Sequence, residues 1–124
     1  AFFQRAYGRY QISFEQDKNS IDFFYSDYEN NKKTSTVLAS GHEKAVLSIA
    51  NRVALSSIQD LGIMILDEID SNAGDESSQK LFSTLLEEKS LNQFFIITHN
   101  EVSKEFLVNS PNSIQYKIVE GECV

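Results

Sequence analysis

From residue 40 onward the apolar positions change period several times, and each change marks an element. Between residues 43 and 58, Val46, Ile49, Ala50, Val53, Ala54 and Leu55 recur three and four apart, which predicts an amphipathic helix. Ile63-Met64-Ile65-Leu66 follows as a continuous apolar run, suited to a strand buried on both faces, and it ends in Asp67-Glu68. Residues 75–89 return to helical spacing, with Leu81, Phe82, Leu85 and Leu86 on one side. A second apolar run, Phe94-Phe95-Ile96-Ile97, ends in Thr98-His99. Asn100 is placed to cap a short helix reaching about Val108, and Pro111 lies in the turn before a final strand over 114–119. Nearer the start, residues 9–15 alternate (Tyr10, Ile12 and Phe14 against Gln11, Ser13 and Glu15), and 21–25 read as an aromatic-rich strand. With the polar turn 16–20 between them they predict an antiparallel hairpin, followed by a polar loop over 27–36. Whether the face at Phe23, Phe24 and Tyr25 is core or interface is open, core being the commoner outcome. The order of elements implies an α/β sheet with helical crossovers.

Chemistry gathers where the two apolar runs end. In an open α/β sheet, ligands bind outside the carboxyl ends of the strands. The first run delivers Asp67 and Glu68 there, the second Thr98 and His99. Burying unpaired carboxylates is costly, and a bound cation offsets that cost. Asp67 suits Mg²⁺, which prefers oxygen ligands and keeps several waters. Glu68 suits the positioning or deprotonation of an attacking water, and His99 its orientation or the sensing of a terminal phosphate. The plainer reading is a polar pair that ends a strand, and a histidine held by a structural hydrogen bond.

Ser40-Gly41-His42-Glu43 opens the first helix as a Ser-x-x-Glu capping box. That alone accounts for Ser40 and Glu43. Yet Gly41 leaves the backbone open to close approach, and free N–H groups at the positive end of a helix bind phosphate readily.

Taken in order, three segments resemble one family. Ala39-Ser40-Gly41-His42-Glu43-Lys44 resembles the signature motif Leu-Ser-Gly-Gly-Glu-Lys of ABC-type ATPases. Ile63 to Glu68 resembles the Walker B strand with its catalytic glutamate, and Ile97-Thr98-His99 the switch strand, or H-loop. The separations resemble those in the C-terminal lobe of the structural-maintenance-of-chromosomes (SMC) group and its double-strand-break-repair relatives, where the lobe follows a long coiled coil. The match is close over residues 36–100 and rests on element order elsewhere. The resemblance implies the C-terminal half of a P-loop ABC-type ATPase head: a mainly parallel sheet with flanking helices plus an N-terminal hairpin, divided into residues 1–38 and a lobe over 39–124. It implies ATP and Mg²⁺ as cofactors, Asp67 as metal ligand, Glu68 and His99 as catalytic residues, and Ser40, Gly41, His42 and Glu43 as nucleotide-binding residues toward the opposite head. Ser71, Asn72 and Asp75 would form the D-loop. The sequence departs from the pattern at Ala39 and His42, which replace leucine and glycine, and in the D-loop, where Gly74 stands for the usual aspartate and Asp75 follows one position late.

No Gly-x-x-x-x-Gly-Lys-[Ser/Thr] phosphate loop occurs in the 124 residues. An N-terminal Walker A lobe is therefore an expected partner, and the resemblance implies a second head, a nuclease subunit, and double-stranded DNA through the full complex as the others. Glu43-Lys44 followed by Ala45-Val46-Leu47-Ser48, with Ile69 where many relatives have proline, looks closer to the repair branch. A chromosome-organising or other ABC-type head, or an interaction module that no longer hydrolyses, are the alternatives. A net charge of −7 adds one restriction: phosphate contacts need clustered Lys and Arg, so any role on DNA falls to other parts or to local patches. No apolar run approaches the ~20 residues that span a bilayer. Residues 1–5 lack a signal peptide's apolar region. Cys123, the one cysteine, excludes an internal disulfide. A cytoplasmic setting, at the nucleoid or in a nucleus, is the expectation, with no membrane partner.

Overall fold

In the computed structural model, which describes residues 2–8, 10–27 and 32–123, the first element is a helix too short for periodicity to reveal. In α1 (Phe2–Tyr7), Phe2, Phe3 and Ala6 are buried. Gly8 ends the helix in the left-handed region at φ 79°, its N–H donating to the Gln4 carbonyl at 2.7 Å.

The expected hairpin forms from β1 (Tyr10–Gln16) and β2 (Ile21–Asp27), with Phe14 directly opposite Phe23. Residue 9 of the expected first strand lies outside the described residues, as do residues 28–31 of the expected loop. The rest of that loop contains a third strand, β3 (Lys33–Ser35), antiparallel to β2. Its polar composition hides it in the sequence. Lys33 makes the strand intelligible: its ammonium bonds the Glu15 carboxylate and lies 4.3 Å from the centre of the Phe24 ring. The aromatic residues divide along the sheet. Tyr10 and Ile12 pack on the core and Tyr25 meets Tyr10 edge-on at 5.1 Å, whereas Phe14, further out, stays 66% exposed.

A short 3₁₀ turn (Thr36–Leu38) leads into α2 (Gly41–Gln59), which buries Val46, Ile49 and Val53. Leu55 lies two residues past Val53, on the opposite side of the helix, and is exposed. Next come β4 (Gly62–Asp67), α3 (Asp75–Leu86) and β5 (Leu91–Ile97), a βαβ unit whose strands pair in parallel. Met64 and Leu66 point inward onto Val46, Ile49 and Val53 of α2, Leu81, Phe82 and Leu85 of α3, and the α1 phenylalanines. The segment 1–38 and the lobe that follows thus share one core.

Burial of β4 on both faces, expected from its continuous apolar run, is not what the structure shows. Ile63 and Ile65 are 54% and 62% exposed, and Phe95 and Ile97 share that outer face. Parallel sheets bury both faces because their crossovers supply helices to each. Here the described residues cover one face and leave the other open.

Asn100 caps α4 (Glu101–Val108) as expected, its side-chain oxygen accepting from Val102 N at 2.9 Å and Ser103 N at 3.2 Å. The final strand expected over 114–119 does not form. Residues 113–117 have no regular structure, and only β6 (Ile118–Val119) pairs, with β7 (Glu122–Cys123), around Glu120 and Gly121 at φ 52° and 84°. Ile114, Tyr116 and Ile118 alternate, but no sheet edge meets Ile114 or Tyr116, and all three remain exposed. Alternation proposes a strand; a partner edge is needed to make one. Among the described residues no helix is long and apolar enough to cross a membrane.

The two faces of β4 should respond differently to substitution. Ile65→Lys, on the open face, is expected to change the stability of the chain by less than about 1 kcal/mol. Leu66→Ala, one residue on, is expected to cost about 2–5 kcal/mol through the lost contacts and the cavity left behind. Urea unfolding followed by circular dichroism measures both, and the reverse ranking would put the core on the wrong side of the sheet.

Candidate functional site

Because β4 and β5 run the same way, their carboxyl ends finish together, Asp67 beside Ile97. The chain then leaves β4 through Glu68, whose backbone sits in the left-handed region at φ 47°. For a residue with a Cβ that conformation costs roughly 1–2 kcal/mol. The Glu68 N–H donates to the Ile97 carbonyl at 2.9 Å, which holds the two strand ends together past the last ladder pair. The turn directs the Glu68 carboxylate to His99, whose Nε2 lies 3.0 Å from Glu68 Oε1. Both side chains are largely exposed, and an exposed pair of this kind contributes at most about 1 kcal/mol to stability. The contact brings imidazole and carboxylate side by side at the sheet edge. Asp67, on the outer face of β4, is exposed beside them.

The start of α2 has the geometry its sequence predicts. Ser40 Oγ accepts from Glu43 N at 3.3 Å, and Glu43 Oε2 accepts from Ser40 N at 2.7 Å, so the capping box closes in both directions. Accepting the helix N–H leaves the Ser40 hydroxyl its own proton to donate. A Cβ built on Gly41 would lie 3.2 Å from Asn72 Cβ and Cγ, so a larger residue there would push on the loop after β4. His42 is half-buried. Burial holds its imidazole below the ordinary histidine range, against an opposing pull from the Glu43 carboxylate.

In the loop after β4, Ser71 N–H donates to the Glu68 carbonyl and Ala73 N–H to the Asp70 carbonyl, both at 3.1 Å. Asn72 reaches Ser71 Oγ at 3.4 Å and lies against Gly41, so part of the expected D-loop touches the expected signature segment. Asp75 is not in that turn. It belongs to the first turn of α3, behind Gly74, which caps the helix without a side chain. Two further residues enter the site that sequence reasoning left unassigned: Asp70 and Ser103, joined to each other and, through Asp70, to Thr98 by hydrogen bonds at the strand ends. The signal for Asp70 was a second carboxylate two residues after Glu68, but only the fold shows that it is buried.

Among the described residues, no three or more His, Cys, Asp or Glu side chains gather in a way that could hold a metal ion. Asp67, with Glu68 beside it, fits a cation that takes one protein oxygen and completes its shell with water and phosphate, as Mg²⁺ does.

No protein-family model matches the chain. It is 33% identical over 79 residues to the chromosome partition protein Smc of Fusobacterium nucleatum subsp. nucleatum, a match covering 63% of this chain and 7% of that protein. The chain thus spans a small part of that relative's length. Its structure superposes on 76% of a chain described under ATP-driven dimerization and DNA-stimulated activation of SMC ATPases, with a TM-score of 0.77, 16% identity and 99% of this chain covered. The SMC head domain from Thermotoga maritima matches 98% of this chain and 42% of its own, with a TM-score of 0.66 and 25% identity. A Pyrococcus furiosus Smc head bound to the C-terminal domain of ScpA matches 85% of this chain and 28% of its own, with a TM-score of 0.68 and 17% identity. The α/β fold, with its hairpin and its helix-flanked parallel strands, is that of the C-terminal portion of SMC ATPase heads.

Proposed function

We propose that this chain is the C-terminal lobe of an ATP-hydrolysing, SMC-like head that pairs with a second head around ATP. The observation that carries the reading is the Glu68–His99 pair at the joined ends of two parallel strands. In this fold, ligands meet the sheet at that edge. Glu68 would take the proton of the attacking water, and His99, with Nε2 3.0 Å from Glu68 Oε1, would help keep the carboxylate aimed. Asp67 would hold Mg²⁺, which neutralises developing phosphate charge when bound. Ser40 and the N–H groups of Gly41 and His42 would meet the γ-phosphate held by the opposite head, using the positive end of a 19-residue helix, while the Glu43 N–H is taken by Ser40 Oγ. Contact between Gly41 and Asn72 would tie that phosphate contact to the loop after Glu68.

A phosphate loop must come from an N-terminal lobe. The open face of Ile63, Ile65, Phe95 and Ile97 is the apolar surface such a lobe would cover. Two settings are consistent with the head. A nuclease-associated repair ATPase is supported by Glu43-Lys44 and its continuation and by Ile69. A chromosome-organising role is supported by the similarity to Smc of Fusobacterium nucleatum. In both, DNA would be engaged by the full complex, and localisation would follow the DNA.

The lobe joined to its Walker A lobe is expected to hydrolyse ATP and to dimerise on binding it, as measured by phosphate release and light scattering. Glu68→Gln should lower turnover by about 10²–10⁴-fold while leaving the ATP-bound dimer intact. Heads that neither pair nor turn over would support the alternative of an interaction module.

The two settings separate by partner. Affinity capture of the tagged full-length protein from its own cells, followed by mass spectrometry, is expected to recover a nuclease in the repair setting. Recovery instead of a winged-helix subunit of the kind seen on the Smc head would move the assignment to chromosome organisation.

His42 gives a pH dependence with a definite sign. Its folded-state pKa lies below the ordinary 6.5, so the unfolded imidazole takes up a proton first as pH falls. Its contribution is present above pH 6.5 and is lost as pH falls below it. His42→Gln should therefore flatten the fall in urea midpoint between about pH 7.5 and 5.5. An unchanged slope would mean the imidazole is not held neutral by burial.

A further inference from the structure

Asp70 is 3% exposed, an unusual place for a carboxylate. Burying one is tolerated only when its oxygens are well supplied with donors. Asp70 Oδ2 accepts two hydroxyls, from Thr98 at 2.8 Å and from Ser103. Thr98 Oγ1 in turn accepts from Asn100 N at 3.1 Å, and Asn100 caps α4, the helix that carries Ser103. One buried oxygen therefore ties the loop after β4 to both the end of β5 and the first turn of α4. The residues it brackets are those of the proposed hydrolytic pair: Glu68 lies two positions before Asp70, and His99 follows Thr98 directly.

Nothing in Glu68 or His99 themselves would keep them together. They form an exposed contact worth little, and Glu68 stands in a backbone conformation that costs energy. The backbone bond from Glu68 N to the Ile97 carbonyl fixes one point between the two segments. The ladder holds the strands up to Asp67 and Ile97, and beyond that one bond the Asp70–Thr98 and Asp70–Ser103 bonds hold the two segments that leave the strand ends. Since Asp70 and Ser103 are buried and Thr98 half-buried while the pair is exposed, the clamp sets the geometry and the pair follows.

We propose that Asp70 is a positioning residue: acting through the Thr98 hydroxyl, it fixes His99 against Glu68. The inference deepens the hydrolytic reading of that pair and rests on it for its consequence in catalysis, while its structural content is testable without ATP. The chain has two histidines, His42 and His99, so imidazole ¹⁵N spectra of the chain are readily assigned. His99 Nε2 lies 3.0 Å from Glu68 Oε1, so the ring resonances of His99 report whether the carboxylate is beside it.

Thr98→Val removes the hydroxyl and keeps the shape. It is expected to move the His99 ring resonances toward those of an imidazole away from Glu68 in a chain that remains folded, leaving His42 unchanged. In the head joined to its Walker A lobe, the same substitution should lower kcat by about 10- to 100-fold with KM for ATP little altered, the signature of a displaced group and not of lost binding. Thr98→Ser, which keeps the hydroxyl, should restore both readings, and Asp70→Ala, which removes the accepting oxygen, should reproduce the loss wherever it folds. His99 spectra unmoved in folded Thr98→Val would overturn the proposal, whatever the activity. A wild-type head without turnover would instead sink the hydrolytic reading, and the spectra would still decide whether Asp70 positions His99.

Discussion

Parallel pairing sends β4 and β5 in the same direction, so whatever follows each strand emerges at one edge. The rest of the site depends on that pairing and its register. Placing Asp67 beside Ile97 brings Glu68 N to the Ile97 carbonyl, His99 to Glu68, and Thr98 to Asp70. A slip of one residue would turn Met64 and Leu66 out of the core and break these contacts together. Core packing therefore fixes the site indirectly, because the side chains that hold the register are not those that carry the chemistry.

That division follows from the two-residue period of a strand. Inward positions of β4 supply folding energy against α1, α2 and α3, while the residues just past its end are exposed and contribute little to stability. Glu68 goes further and detracts from it, since a glycine would occupy the left-handed turn at lower cost. At the start of α2 the same group serves both purposes. The capping box that stabilises the helix also orients the Ser40 hydroxyl and the first N–H groups toward solvent beside Asn72.

How much could be read beforehand depended on how local each cause is. The body of α2, its capping box, and the cap of α4 by Asn100 were legible because their signals lie within a few residues. The polar endings of the two apolar runs likewise announced where Glu68 and His99 would stand. Six residues of α1 were too few for a period, and β3 was concealed because Lys33 and its neighbours look like a loop until Glu15 and Phe24 are beside them. Residues 114–117 erred in the other direction, alternating correctly with no edge to join, and only 118–119 found a partner. The Asp70 clamp spans 28 and 33 positions to Thr98 and Ser103, and no sequence pattern carries that distance. The continuous run in β4 signalled two buried faces where the described residues bury one.

That uncovered face sets a demand on timing. Ile63, Ile65, Phe95 and Ile97 form an apolar surface on strands whose outer backbone edges are unpaired among the described residues. Such a surface recruits other chains through the same forces that assemble a native sheet. The half-life of the lobe as a soluble species is then governed by a race between its proper cover and its own copies. The first encounter is favoured by tethering and the second by concentration, so overproduction of the lobe alone shifts the outcome toward precipitate. The chain that best displays the site is, for that reason, the one that most needs company soon after synthesis.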